Sequence, residues 1–142
     1  MNFFLTIVVI PVVVVAALAI WIRTVSPDPA RFARPAEMPE PGTHTTMVES
    51  VTVLTPPDPA AAFQRLADIV ASAPRTTEVA RDPDHRAFVV RTWVMGFPDV
   101  IHVWHDGTHL AIRGKLTLGK GDAGVNKRRN AEWLKKADLT PP

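Results

Sequence analysis

The stretch Asp99 to Leu118, "DVIHVWHDGTHLAIRGKLTL", decides the fold. Two runs rich in β-branched and aromatic residues flank Asp106-Gly107, and Asp-Gly between alternating runs is the strongest short-range sign of a β-hairpin. Strands are therefore predicted at Asp99 to His105 and His109 to Leu118, paired antiparallel. In the second strand Leu110, Ile112, Leu116 and Leu118 share one face, while Ala111, Arg113, Lys115 and Thr117 share the other, so helices should cover the first. His102 and His105 have opposite parity in one strand and cannot jointly hold a metal. His105 and His109 flank the turn and read as a surface pair.

Working outward, Arg86 to Met95 and a short run near Thr76 to Ala80 read as two further strands around an Asp82-Pro83-Asp84 turn. Met47 to Leu54, "MVESVTVL", is a β-rich run ended by "TPPDP". Asp58 is an N-cap with Pro59 at the first helical position; Phe63, Leu66, Val70 and Ala73 then follow at helical spacing until Pro74 closes the run. A last helix spans about Ala123 to Ala137. The order β-α-β-β-β-β-α makes the fold class α+β, a small antiparallel sheet with two helices on one face.

The N-terminus is of another kind. Phe3 to Ile22, "FFLTIVVIPVVVVAALAIWI", holds 20 residues without a charge, the length that crosses about 30 Å of hydrocarbon as a helix. Trp21 and Arg23 mark an interface, and Pro11 is tolerated in a bilayer as a kink. A cleavable signal peptide is the competing reading, with Ala17-Leu18-Ala19 as its site. An n-region without Lys or Arg and the long apolar run favour a retained single-pass anchor over residues 1–23, in the inner membrane if the source is bacterial. Arg23, Arg31 and Arg34 beyond the span favour a cytoplasmic domain. Residues 24–44 come next as a linker whose five prolines and Gly42 rule out regular helix or strand. It is expected to space the domain, residues 45–142, from the bilayer, touching it through Phe32 and Met38.

Composition narrows the function classes. The formal charge is +2 and there is no cysteine, which excludes disulfides, Cys-zinc sites and thiol chemistry without naming a compartment. The stretch Gly119 to Gly124, "GKGDAG", fits G-x-G-x-x-G. A dinucleotide fingerprint needs a βαβ unit and an acidic residue about 20 positions on, whereas one helix consumes most of the residues after Gly124. The stretch is expected to be a strand-to-helix turn with glycines at positive φ and Asp122 capping the helix. No nucleotide, cofactor or metal is expected, and nucleic acid is disfavoured because no aromatic residues interleave with the cations.

The runs "RTWVMGFPDVIHV" (Arg91 to Val103) and "LAIRGKLTLGKGDAGVNKRR" (Leu110 to Arg129) resemble the domain of unknown function DUF1499. Its members show an Arg-Ser strand, a G-F-x-D turn and an ending like R-S-x-S-R-x-G-x-S-D-x-G-V-N-x-x-R. The resemblance covers roughly Val48 to Leu134, and Arg91, Gly96, Phe97, Asp99, Arg113, Gly119, Asp122, Gly124 and Asn126 match family positions. Gly114, Leu116 and Thr117 depart from the usual Ser, Ser and Arg, which removes two hydroxyls and a cation from any shared site. The resemblance implies no activity. Many relatives look secreted, lipidated or lumenal, which implies a periplasmic domain and opposes the arginine count.

Nothing in the chain assembles a catalytic triad. A neighbouring-strand register could bring Arg91 near Arg113 with Asp99 as the anion, either as a brace for the G-F-x-D turn or as two forks for a phosphate or carboxylate. On the last helix Asn126, Asn130, Trp133, Leu134 and Ala137 gather on a docking side, with Asn126 expected to be a buried amide satisfying the glycine turn. Arg128, Arg129, Lys135 and Lys136 gather on the other side, a solvated face or a contact for anionic lipid or a membrane protein complex. Two functions stand: a noncatalytic membrane-anchored interaction or accessory module, or a small-anion-binding or enzymatic domain using Arg91 and Arg113.

Overall fold

The computed structural model describes residues 2–141. Helix α1 (Asn2–Thr24) carries Pro11 in its interior, and its Thr6–Thr24 portion is long and apolar enough to cross a membrane. Its apolar side chains from Ile7 to Trp21 are largely exposed, whereas Ile22 is buried.

The described residues of the domain form one antiparallel six-stranded sheet, β1 (Gly42–Thr45), β2 (Glu49–Leu54), β3 (Thr76–Asp82), β4 (His85–Arg91), β5 (Pro98–His105) and β6 (Leu110–Leu116), in the order β1-β2-β6-β5-β4-β3. Two helices, α2 (Pro59–Ala71) and α3 (Val125–Lys136), complete the α+β domain. The hairpin around Asp106-Gly107 is present, with His105 opposite Leu110. Asp106 Oδ1 accepts from the N–H groups of Thr108 and His109, and Gly107 takes φ 92°. Asp58 caps α2 as its sequence position implies, accepting from the Ala61 N–H at 2.9 Å.

Parity sorts the strands as expected. Phe88, Val90, Ile101, Val103, Leu110 and Ile112 face the helices, packed on Phe63, Leu66 and Val70 of α2 and on Trp133 and Leu134 of α3. The other face buries Val51, Val53, Trp104 and Ala111 under Met38.

On that second face the expected touch of residues 24–44 through Met38 is present, and the exclusion of a strand from that segment is corrected. A 3-10 turn, Pro29–Phe32, is capped by Asp28, and Arg34 reaches the far end of the sheet, pairing with Asp84 and donating to the His105 carbonyl. The segment therefore lies along the sheet as a strap, and its end forms β1, which pairs with β2 from Gly42 opposite Val53 to Thr45 opposite Ser50. Prolines 39 and 41 stop just before that strand, and β1 is an edge strand, so the chain enters the sheet without placing a proline in the ladder. β4 also ends four residues early, because Thr92 turns the chain: its carbonyl accepts from Gly96 and its hydroxyl from the Phe97 N–H.

Helix α3 lies tight on β6. A Cβ at Gly114 would collide with the Asn126 carboxamide, so α3 packs on β6 here with no room for a side chain at 114 as Asn126 stands. Gly114→Ala should cost about 1–3 kcal/mol through overpacking. The check is denaturant unfolding in a double-mutant cycle with Asn126→Ala, where the two losses should be less than additive because the second change removes the obstacle.

Candidate functional site

At the end of the sheet nearest α1, the helix-facing side is left partly uncovered. Here the 92–97 loop, the 117–124 loop, the start of α3 and Ala73 to Arg75 enclose a cleft of about 650 Å3. Val90, Phe97, Leu116, Leu118 and Trp133 line it, with Asp99 and Arg129 among its walls. On the loop, Trp93 and Val94 are 78% and 63% exposed.

Asp99 begins the helix-facing side of β5 and is 1% exposed. Its Oδ2 accepts from Arg129 Nη2 at 2.6 Å and from Asn126 Nδ2 at 3.4 Å, while Oδ1 has no partner among the described residues. Burial raises its pKa from the ordinary carboxylate value even though Arg129 pulls the other way. Arg129 also lies over the Trp133 ring at 5.8 Å. It is thus not part of the solvated face that its helical position suggests: its long side chain folds back to a buried charge. Asn126, fully buried, is likewise directed to Asp99 and not to the backbone of the glycine turn.

The glycine turn itself behaves as expected. Gly119 and Gly124 take φ 107° and 75°. Asp122 sits two residues before the cap position Gly124, yet its carboxylate accepts from the N–H groups of Gly124 at 2.8 Å and Asn126 at 3.0 Å. Burial acts to raise its pKa, but these bonds outweigh it and hold the carboxyl below its ordinary value.

Arg91 and Arg113 do not share a site. Both lie on the strap-covered face, away from Asp99, with Arg91 opposite Pro98 and Arg113 opposite His102. Arg91 donates to the carbonyls of Ile22 at 3.2 Å, Gly96 at 3.1 Å and Val25 at 2.8 Å. Arg113 pairs with Glu49 at 2.7 Å. Each guanidinium is occupied and β5 stands between them, so the alternative of two arginines converging on one anion is not formed; Arg91 braces the turn through the Gly96 carbonyl, without Asp99. Arg128 donates to the Ala123 carbonyl, and Lys135 and Lys136 are exposed.

A second cluster was not foreseen. His85 and His102, 1% and 5% exposed, meet beneath the strap with Nε2 to Nδ1 at 3.0 Å. Burial first, then the neighbouring His85 and Arg113, push His102 down to about 4; burial also lowers His85 against the opposing pull of Asp82. Their shared parity with Arg91 and Arg113 was the available signal. His105 lies on the opposite face against Phe63, ring centroids 5.1 Å apart. Among the described residues no group of three or more His, Asp or Glu is placed to hold a metal ion.

A family model described as a protein of unknown function, DUF1499, matches residues 21–136. The chain belongs to the DUF1499 family. The match takes in the strap and β1, so the DUF1499 domain begins well before Val48. Among curated proteins none matches the chain. Of the residues that carry the DUF1499 resemblance, Arg91, Phe97, Asp99, Gly119 and Asp122 border the cleft.

The buried histidines make stability pH-dependent. A histidine whose folded pKa lies below its unfolded value of about 6.5 binds fewer protons when folded, so stability falls as pH drops from about 6.5 to about 4. The His102 share should approach about 3 kcal/mol, read from urea unfolding at pH 7 and pH 4, and His102→Gln should remove it. Asp99, raised when folded, has the opposite slope, so it cannot imitate this loss.

Proposed function

We propose that this DUF1499 protein is a noncatalytic, single-pass membrane-anchored module that engages anionic lipid or a membrane protein complex at the bilayer surface. The observation that carries the reading is the Arg91 contact. Its guanidinium joins the C-terminal end of α1, through the Ile22 and Val25 carbonyls, to the 92–97 loop, through that of Gly96. If α1 crosses the membrane, this contact keeps one end of the domain at the headgroup level.

Other features suit that position. Trp93 and Val94 are large exposed apolar residues beside the helix end, where Trp21 already marks an interface. Tethering raises effective concentration, so a weak surface contact can be occupied. The basic contact consists of Arg128, Lys135 and Lys136; Arg129 is committed to Asp99.

The full chain is expected to stay in the membrane pellet after alkaline carbonate extraction. Charge reversal at Arg128, Lys135 and Lys136 should leave the fold intact and reduce co-purification with membrane partners, most clearly at low salt where screening is weak. A soluble mature chain beginning near Ile20 would contradict the anchor, and undiminished co-purification would contradict the basic contact.

A further inference from the structure

We propose that the cleft between the sheet, α3 and the 92–97 loop binds the acyl chain of a membrane amphiphile with an anionic headgroup, admitted from the bilayer beside α1. This rests on the membrane-anchored reading above. The cleft volume, about 650 Å3, lies inside the range of roughly 300–1,000 Å3 typical of small-molecule sites. Its walls are mainly apolar, built by Val90, Val94, Phe97, Leu116, Leu118 and Trp133. Water gains little there, whereas a hydrocarbon chain would remove both the walls and itself from water.

The loop that forms one wall is also the loop that touches the apolar helix. Arg23 donates to the Val94 carbonyl at 2.6 Å and Arg91 to that of Gly96. A chain leaving the bilayer at the end of α1 therefore meets Trp93 and Val94 first, and these are the exposed apolar residues of the cleft.

The polar groups set the orientation. Arg75 and Lys136 are exposed cations at the cleft, against one exposed anion, Glu132. Arg129, 14% exposed, is neutralised by Asp99. An anionic headgroup gains from the two cations while it stays at the rim and hydrated. Entering headfirst, it would lose its water and approach the buried Asp99. The alkyl chain goes in and the headgroup stays out.

The test uses the full chain in phosphatidylcholine bilayer discs with photoactivatable palmitate, lysophosphatidylglycerol and lysophosphatidylcholine. Both anionic compounds should crosslink to residues 90–97, 116–125 and Trp133, more strongly than the zwitterionic one. Leu118→Trp, which fills the cleft, should cut this labelling about ten-fold or more, with circular dichroism reporting the fold. Should that variant not fold, the Arg75→Glu, Lys136→Glu pair should lower labelling by the anionic compounds alone. Labelling confined to α1, or unchanged by Leu118→Trp in folded protein, overturns the site, and so does displacement by a protein partner but not by unlabelled palmitate. Equal labelling by lysophosphatidylcholine overturns the anionic headgroup. Failure of the anchor is seen separately, as full chain that does not enter discs, while palmitate labelling in detergent still reports on the cleft.

Discussion

The last turn of a helix leaves carbonyl groups without intrahelical donors, and in α1 those of the final turn face a protein surface as well as solvent. Arg91 meets them. One nitrogen of its guanidinium donates to the Ile22 carbonyl and to that of Gly96, and the other donates to Val25. A cation at this place also opposes the negative end of the helix dipole. Because Arg91 is the last residue of β4, an interior strand paired on both sides by β3 and β5, the cap is rigidly mounted. The course of the chain from Val25, the seat of the 92–97 loop and the position of the cleft beside α1 all depend on it.

From Val25 the chain has one large surface left to cover. Parity places Val51, Val53, Trp104, Ala111, His85 and His102 on the face away from the helices, and without the strap these would meet water. The strap closes that face, with Arg34 fixed at the far end of the sheet by Asp84 and the His105 carbonyl. A domain described by its helices alone would have one covered face. This one has two, and the inward-facing histidines are held neutral as a result.

Much of this was legible. Asp106-Gly107 marks a hairpin, parity in Leu110 to Leu118 separates its faces, and Asp58-Pro59 starts α2. The docking side of α3 is also readable, since Asn126, Asn130, Trp133, Leu134 and Ala137 are all buried. What escaped depends on partners distant in sequence. β1 was hidden because the prolines before it mask a strand that exists only through pairing with β2. Arg129 looks solvated from its place on a helix, but Asp99 offers it a buried charge. Arg91 and Arg113 share a face, yet the register sets them opposite Pro98 and His102, and helix carbonyls and Glu49 claim them first. The His85 and His102 contact likewise needs the β4 and β5 alignment before two histidines 17 residues apart can be neighbours.

The central claim is that Arg91 holds the 92–97 end of the domain at the bilayer surface. The chain has no cysteine, so single spin labels can be placed without altering other residues, at Val94→Cys on the near loop and at Thr108→Cys on the turn at the other end of the sheet. In bilayers, relaxation by oxygen and by a water-soluble nickel chelate reports depth at each position. The label at 94 should be relaxed mainly by oxygen and the label at 108 mainly by nickel, with Arg91→Met moving only the first toward water. Equal exposure of both labels to nickel in the unaltered Arg91 background would contradict it.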